Sequence, residues 1–294
     1  MSRPIPTHPV ARALDLARIY AETTPLVRRS GRVFDDVRLY VNFVGYPRSG
    51  SSIVGALLDA HPNAVVASEE GALQYVYVGF GRRRLFARLL WNTQAVGHSR
   101  THGGRTRQGG YSYDVPGQWQ GRHRRIEVIG DKFSQYNSTR LGRDPALLGR
   151  LRRKVDVPLC HVHVVRNPFD TVSTMARRRV EKVGGTVDLE TAVVDYEVLC
   201  RHTADVLARA RDAGDATHEL RHEAFVAQPA AELAALCRVL GLDPSAAYLD
   251  ACAGIVAEAP RRTRTRVSWG ASEQRTLERL IQTTPFLEGY TFEA

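Results

Sequence analysis

The chain has 294 residues, of which 43% are hydrophobic and 24% are charged, a composition typical of a soluble globular protein with one large core. Its 41 basic residues exceed its 31 acidic residues and give a formal net charge of +10, which favours an anionic ligand and would steer one toward the protein. No stretch approaches the roughly 18 apolar residues of a membrane span. The first residues also lack the apolar segment of a secretory signal, so a cytoplasmic protein with no membrane partner is expected.

The four cysteines, which are Cys160, Cys200, Cys237 and Cys252, are far apart in the sequence. They form neither a CxxC pair nor a zinc-binding pattern. Buried free thiols and no structural metal site are therefore expected.

The N-terminal residues 1–36 contain several prolines and predict a lead-in segment with one short helix near Ala11–Tyr20. Residues 37–294 are predicted to form a single domain. Its first strand is Leu39–Val44, followed by the sequence GYPRSGSS and an apolar helix that ends at the turn around His61, and a second short strand covers Ala64–Ala67.

Residues 91–125 differ from the rest because they are rich in glycine and arginine and show no regular hydrophobic period. They predict an irregular insert, either a binding loop or a mobile lid. Three histidines, His98, His102 and His123, lie in this insert.

Further strands are predicted at Arg125–Ile129, Leu159–Val165 and Thr217–Leu220, and helical segments separate them. Alternating strands and helices indicate an α/β fold with a central parallel sheet flanked by helices. Ligands of such sheets bind at the carboxyl ends of the strands, so the informative residues are those that directly follow each strand.

The loop after the first strand has the features of a phosphate cradle. Its backbone N–H groups and the following helix N-terminus attract an anion. The spacing is similar to that of the GxxxxGK[ST] loop, but Ser51 stands where the lysine would be and the cation is Arg48. The predicted anion-binding residues are Arg48, Ser49, Gly50, Ser51 and Ser52.

Two motifs resemble those of sulfotransferases that use 3′-phosphoadenosine 5′-phosphosulfate (PAPS). VGYPRSGSSIVGALLDAHPNAVVASEE resembles their 5′-phosphosulfate loop, most closely in carbohydrate sulfotransferases. VVRNPFDTVSTM resembles their second motif, in which an arginine and a hydroxyl eight residues later bind the 3′-phosphate. Arg166 matches the arginine, Thr174 occupies the eighth position and Ser173 precedes it, so either hydroxyl could be the donor.

The resemblance implies a P-loop sulfotransferase-like three-layer fold, with PAPS as co-substrate and 3′-phosphoadenosine 5′-phosphate (PAP) as product. It also implies that no metal is required. The expected acceptor is a hydroxyl of a small molecule or carbohydrate, either sugar-containing or a natural product. Nucleic acid is not expected as a partner.

The same resemblance suggests the catalytic groups. Arg48 would stabilise the leaving phosphate, and GDKFSQY resembles a heparan sulfotransferase segment whose lysine, here Lys132, lies at the reaction centre. Glu70 follows Arg48 by 22 residues, the interval of the base glutamate in heparan-type enzymes. Its neighbour Glu69 is an alternative base, as are the three histidines of the insert.

Two further segments bear on the site. Residues 219–229 resemble a strand–turn–helix segment of the family that is architectural and carries no chemistry. The loop Ala259–Trp269 either supplies a 3′-phosphate loop or is a solvated basic loop; its candidate residues are Arg261, Arg262, Arg264 and Arg266.

Two other functions are alternatives. A small-molecule kinase with a degenerate P-loop would need a lysine at position 51 and an acidic magnesium site. A nucleic-acid-binding protein would gather its arginines on one face with interleaved aromatic residues, whereas here they are scattered along the sequence.

Overall fold

A computed structural model describes residues 9–101 and 113–293. Five strands form one sheet, in which every pairing is parallel and the spatial order is β2-β3-β1-β4-β5. Their bounds are β1 (Leu39–Val44), β2 (Ala64–Ser68), β3 (Val128–Lys132), β4 (Leu159–Val165) and β5 (Ala216–Arg221). The predicted central parallel sheet is thereby confirmed.

Helices cover both faces of the sheet and complete a three-layer α/β fold. One face packs against α1 (Pro9–Ser30), α3 (Ala72–Tyr77), α4 (Arg82–Thr101), α5 (Ser134–Arg143), α6 (Ala146–Val155) and α8 (Leu189–Asp212). The other face packs against α2 (Ser51–Asp59), α9 (His222–Ala227), α10 (Pro229–Val239) and α11 (Ala246–Ala253). At the carboxyl ends of the strands lie α7 (Pro168–Val183) and α12 (Ala271–Thr283). Within the described residues, no helix is long and apolar enough to cross a membrane.

The central strand β1 shows why the sheet is buried on both sides. Tyr40 and Val44 belong to the core on one face, whereas Val41 and Phe43 belong to the core on the other. Strands that are covered on both faces are apolar throughout rather than alternating, which explains the run LYVNFV. Both neighbours of β1 hold it in place, so the loop that follows it starts from a fixed point.

The N-terminal segment is more ordered than the predicted lead-in. One 22-residue helix, α1, replaces the short helix that was expected, and it continues through Pro25. Ile19 is buried in the main core, and the guanidinium of Arg84 on α4 lies 4.2 Å from the ring centre of Tyr20. The prolines suggested a loop, but burial of Ile19 and this contact favour a helix packed on α4.

The predicted irregular insert is also partly wrong. Residues 91–101 continue the helix α4, and residues 102–112, including His102, lie outside the described residues. Residues 113–125 are irregular but attached to the core: Trp119 N–H donates to the Ala60 carbonyl and Arg124 N–H donates to the Pro62 carbonyl. These contacts make residues 113–125 a fixed edge of the domain rather than a lid.

The last residues return to the carboxyl end of the sheet. The Thr291 carbonyl accepts hydrogen bonds from Asn167 Nδ2 at 2.9 Å and Arg264 Nη1 at 3.1 Å, and the Phe292 carbonyl accepts from the same Arg264 atom at 2.8 Å. The Phe292 ring packs edge-on against Phe169. The C-terminal tail therefore braces the segments that follow β4.

Candidate functional site

A cleft of about 720 Å³ opens at the carboxyl ends of β1 and β4. We call it the central cleft. Its cationic lining consists of Arg48, Arg166, Arg177, Arg178, Arg261 and Arg266, and its apolar lining includes Ile53, Phe225, Val226, Ile255 and Val256. A cavity of this size with one charged wall and one apolar wall fits a molecule that carries both anionic groups and a flat apolar ring.

The loop after β1 forms one wall of the central cleft. Arg48 has a φ of +68° and Gly50 a φ of +98°, so the backbone turns twice through the left-handed region before α2 begins at Ser51. At Gly50 a side chain would also clash, because an added Cβ would lie 2.5 Å from His222 Nδ1. The result places Ser51, Ser52 and the amino end of α2 at the cleft, where backbone N–H groups can bind an anion.

Arg166 joins the two predicted motifs. It follows β4, is buried, and donates from Nη1 to the Arg48 carbonyl at 3.1 Å and from Nη2 to the Arg261 carbonyl at 2.6 Å. One guanidinium thus holds together chain segments that are 118 and 95 residues away. The predicted proximity of the Arg48 loop and Arg166 is seen directly.

The geometry distinguishes the hydroxyls near Arg166. Thr174 lines the central cleft, and its Oγ1 lies 2.9 Å from Thr263 Oγ1. Ser173 is fully buried and its Oγ donates to the Asp170 carbonyl. Ser49 is similarly turned inward, since its Oγ donates to the Tyr46 carbonyl at 3.3 Å. Of these three residues, Thr174 is therefore the one that lines the cleft, although its Oγ1 also donates to the Asp170 carbonyl at 2.7 Å.

The arginines of the loop 259–269 divide into two groups. Arg261 and Arg266 line the central cleft. Arg264 is buried, with its Nη2 3.1 Å from Asp170 Oδ2, and it also binds the tail. Arg262 donates to the Glu293 carbonyl. Arg261 and Arg266 thus fit a binding role, whereas Arg264 anchors the loop.

Lys132 is the last residue of β3 rather than the residue after a strand, because the strand begins three residues later than predicted. Its ammonium lies 3.1 Å from Ser52 Oγ and 2.8 Å from Glu69 Oε1. Gly55 on α2 leaves room for this side chain, since an added Cβ there would lie 2.8 Å from Lys132 Cγ. Through Ser52, which lines the central cleft, the Lys132–Glu69 pair adjoins the Arg48 loop.

Glu70 lies elsewhere. Its carboxylate is buried and accepts hydrogen bonds from Tyr75 Oη at 2.8 Å, Arg88 Nε at 2.5 Å and Asn92 Nδ2 at 2.7 Å. The carboxylate beside Lys132 is that of Glu69, the alternative to Glu70 as the base in the sequence analysis. Strand β2 ends at Ser68, and the left-handed backbone at Glu69, with a φ of +60°, directs the two neighbouring side chains to different partners.

Asp131, next to Lys132 in β3, is fully buried, and its carboxylate accepts hydrogen bonds from backbone N–H groups. Its Oδ1 accepts from the N–H of Glu70 at 3.1 Å, and its Oδ2 accepts from those of Gly71 and Ala72 at 2.8 Å. Burial raises the pKa of Asp131 to about 7, and these three donors act in the opposite direction. This carboxylate fixes the loop that carries Glu69.

His222 is a cleft residue that sequence reasoning assigned to an architectural segment without chemistry. It lines the central cleft beside Gly50, and burial together with the charge of Arg166 lowers its pKa to about 4. Phe225, one helical turn later, also lines the cleft. The signal that could have found both is their position directly after a parallel strand.

Of the three histidines proposed as alternative bases, His123 is the one whose side chain belongs to the described residues. His123 lies in the edge segment 113–125 and does not line the central cleft. The side chain of His98 and the whole of His102 fall outside the described residues.

No protein-family model matches the chain, and no curated protein matches it in sequence. Among solved structures, the sulfotransferase domain of the Synechococcus PCC 7002 olefin synthase is 16% identical, with a TM-score of 0.53 over 84% of this chain and 94% of that one. The sulfotransferase domain of the curacin biosynthetic pathway is 13% identical, with a TM-score of 0.49 over 83% and 97%. Mouse sulfotransferase SULT7A1, solved in complex with PAP, is 11% identical, with a TM-score of 0.46 over 86% and 88%. The likeness to the first of these structures shows that the chain has the sulfotransferase fold.

Proposed function

We propose that the protein is a sulfotransferase that uses PAPS to sulfate a hydroxyl group of a small-molecule acceptor, either sugar-containing or a natural product. The observation that carries the proposal is the convergence of Arg48 and Arg166 on one cleft. Arg166 holds the backbone of the Arg48 loop at 3.1 Å. Without this convergence, a three-layer fold would offer no paired cationic groups to bind a nucleotide that carries two phosphate groups.

The lining of the central cleft fits PAPS. Arg166, Thr174 and the cleft-lining residues Arg261 and Arg266 would hold the 3′-phosphate, because guanidinium groups bind phosphate in a bidentate manner. Ser51, Ser52 and the amino end of α2 would hold the 5′-phosphosulfate. The apolar wall, which includes Phe225, offers a surface for the adenine ring.

PAPS supplies an activated sulfuryl group on its 5′-phosphate. In the transfer, the S–O bond to that phosphate breaks, a new S–O bond forms to the acceptor oxygen, and PAP leaves with the electron pair of the broken bond. Arg48 and Lys132 would stabilise the negative charge that grows on the leaving phosphate. Lys132 is suited to this role because it already contacts Ser52 of the phosphate loop.

The acceptor hydroxyl must lose a proton to a base. Of the two candidate glutamates, we assign this role to Glu69, because its carboxylate lies 2.8 Å from Lys132. The Glu70 carboxylate instead has three buried donors around it. When the ammonium of Lys132 turns toward the transferred group, the Glu69 carboxylate is left to accept the proton.

Neither the kinase nor the nucleic-acid alternative is favoured by a specific observation in the described part of the chain. A thermal-shift comparison of PAP, ATP with magnesium, and a single-stranded oligonucleotide separates the three functions. We expect PAP alone to raise the melting temperature, because it alone of the three carries two doubly ionisable phosphomonoester groups, at the 3′ and 5′ positions of one nucleoside. Stabilisation by ATP or the oligonucleotide without stabilisation by PAP would contradict the proposal.

The acceptor can then be sought directly. The protein is incubated with isotopically labelled PAPS and a metabolite extract, and mass spectrometry detects products that carry the labelled sulfuryl group. Matched reactions with the variant Arg166→Ala identify products that depend on the cleft.

A further inference from the structure

A largely buried polar cluster surrounds the loop behind Glu69. Tyr75, Arg88 and Asn92 contact the Glu70 side chain, and Asp131 of β3 binds the backbone of the same loop. We propose that Glu70 and Arg88 are a positioning pair, which fixes the backbone at Glu69 and so directs the Glu69 carboxylate toward Lys132. This inference rests on the proposed function, in which Glu69 is the base.

The Glu70 side chain is only 3% exposed, and both of its carboxylate oxygens are engaged. Oε1 accepts from Tyr75 Oη and Arg88 Nε, and Oε2 accepts from Asn92 Nδ2. A carboxylate held by three donors in a buried site is fixed in position. Glu70 therefore fits an anchor for its loop.

Asn92 binds the chain on both sides of Glu69. Its Oδ1 accepts from the Ser68 N–H at 2.9 Å, while its Nδ2 donates to the Glu70 carboxylate at 2.7 Å. One side chain of α4 thus binds the residue before Glu69 and the residue after it. Rotation of the Glu69 backbone would break at least one of these bonds.

The backbone of the same loop is attached to β3. The Glu69 N–H donates to the Lys132 carbonyl at 3.0 Å, and the Glu70 N–H donates to Asp131 Oδ1 at 3.1 Å. β3 thus holds the loop on one side and α4 holds it on the other. Between these attachments Glu69 adopts its left-handed φ of +60°.

That conformation needs support, because a non-glycine residue in the left-handed region is disfavoured and persists only where its surroundings impose it. A buried ion pair such as Arg88–Glu70 contributes little net stability, since desolvation offsets the attraction. Its benefit is then one of geometry: it selects a single arrangement of the loop. Arg88 is itself held in place, with its guanidinium 4.4 Å from the ring centre of Trp91.

The kinetic test is a double-mutant cycle of Glu70→Gln and Arg88→Gln. We expect each single variant to lower kcat by about 10- to 100-fold, to leave PAP affinity within about twofold, and to keep the pH dependence that Glu69 confers. The double variant should be no slower than the slower single variant, because both residues act through one loop. The matched control is Arg84→Gln, one turn earlier on α4, which removes an arginine that bonds Thr23 and Tyr20 of α1 and should leave kcat unchanged.

A milder variant guards against loss of folding. Tyr75→Phe removes one donor to Glu70 while retaining the ring that stacks on Phe80, and we expect kcat to fall a few-fold. A second readout does not depend on activity: hydrogen exchange of the Glu69–Ala72 amides should become faster in Arg88→Gln but not in Arg84→Gln.

Three results would overturn the inference. The first is unchanged exchange of the Glu69–Ala72 amides in Arg88→Gln. The second is additive losses of kcat in the double variant. The third is a loss in Glu70→Gln that exceeds the loss in Glu69→Gln and removes the pH dependence, which would make Glu70 the base. Absence of sulfuryl transfer by the unaltered protein would contradict the proposed function instead, and the exchange experiment would still test the positioning pair.

Discussion

Two charged residues of the proposed site carry an unusual backbone. Arg48, Glu69 and Asp156 are the non-glycine residues with positive φ in the described part of the chain. Asp156 simply follows the end of α6, where left-handed residues are common. Arg48 instead adopts this conformation in the loop after β1, and Glu69 adopts it beside Lys132. Strained residues cluster at functional sites, where the surrounding structure imposes their conformation.

At the residue scale, we predict that Arg166 both binds the 3′-phosphate of PAP and holds the Arg48 loop in place. Arg166→Lys keeps the charge but cannot reach the Arg48 and Arg261 carbonyls with one planar group. We expect PAP affinity to fall about 10- to 150-fold, which corresponds to about 1.5–3 kcal/mol for a charge-assisted contact. Isothermal titration calorimetry measures the loss. Arg262→Lys makes the matched change at an arginine of the loop 259–269 that binds the tail. It should bind PAP normally, and equal losses in both variants would refute the assignment.

His222 gives a prediction about pH. Burial and Arg166 hold its folded-state pKa at about 4, below the ordinary value of 6.5, so the unfolded chain binds the proton more readily. Its contribution to stability is therefore present above pH 6.5 and is lost as pH falls from 6.5 toward 4, by about 3 kcal/mol at most.

Urea unfolding of the protein and of His222→Gln at pH 7 and pH 4.5 measures this contribution. We expect the free energy of unfolding to decrease less in the variant over this interval. The same decrease in both proteins would show that His222 does not remain neutral in the fold.

At the element scale, the Lys132 side chain packs closely against α2 and restricts which residue can stand at position 55. Gly55 lies within this helix, where glycine costs roughly 0.5–1 kcal/mol relative to alanine. Its replacement by alanine would bring a Cβ to 2.8 Å from Lys132 Cγ and 2.9 Å from Lys132 Cβ. Since these atoms are near the backbone of β3, the lysine cannot simply swing its end away.

We therefore expect Gly55→Ala to lower kcat at least about tenfold through displacement of Lys132, even though alanine favours the helix. Gly149→Ala in α6 is the matched control, because its nearest contact would be 3.5 Å from the flexible end of Arg153. That variant should raise the free energy of unfolding by a few tenths to 1 kcal/mol and keep full activity. Steady-state kinetics and thermal unfolding of both variants decide the matter.

The elements also show what the sequence could and could not predict. Apolar runs such as LCHVHVV in β4 and the glycines of the Arg48 loop predicted the strands and placed Arg48 and Arg166 after them, because these signals are local. That the two arginines share one site was implied by the resemblance to sulfotransferase motifs. The helix over residues 91–101 was missed because glycine and arginine obscured its period. Glu69 and Glu70 could not be told apart, since their partners Lys132 and Arg88 lie on different elements and the left-handed turn between them leaves no mark in the sequence.

At the scale of the whole molecule, charge should govern the approach of the nucleotide. The chain carries a formal net charge of +10, and six of its arginines line one cleft. Such a cleft raises the association rate of an anion, and salt screens the effect because the Debye length shortens from about 30 Å at 0.01 M to about 3 Å at 1 M.

We expect the association rate of PAP, measured by stopped-flow, to fall at least about tenfold between 0.02 and 0.5 M salt. Binding of adenosine, which has the same ring and no charge, should be nearly insensitive to salt. Equal salt dependence of the two ligands would indicate a general effect of salt on the protein.

The anchoring of the tail to Asn167 and Arg264 has a consequence for the order in which the protein matures on the ribosome. All five strands have been synthesised by residue 221, so the sheet can assemble while the chain is still growing. The bonds to the Thr291 and Phe292 carbonyls can form only after these two residues have emerged. A nascent chain should therefore acquire a protease-resistant sheet before these bonds brace the segments that follow β4, and chains arrested at residue 288 should be compact yet bind PAP more weakly.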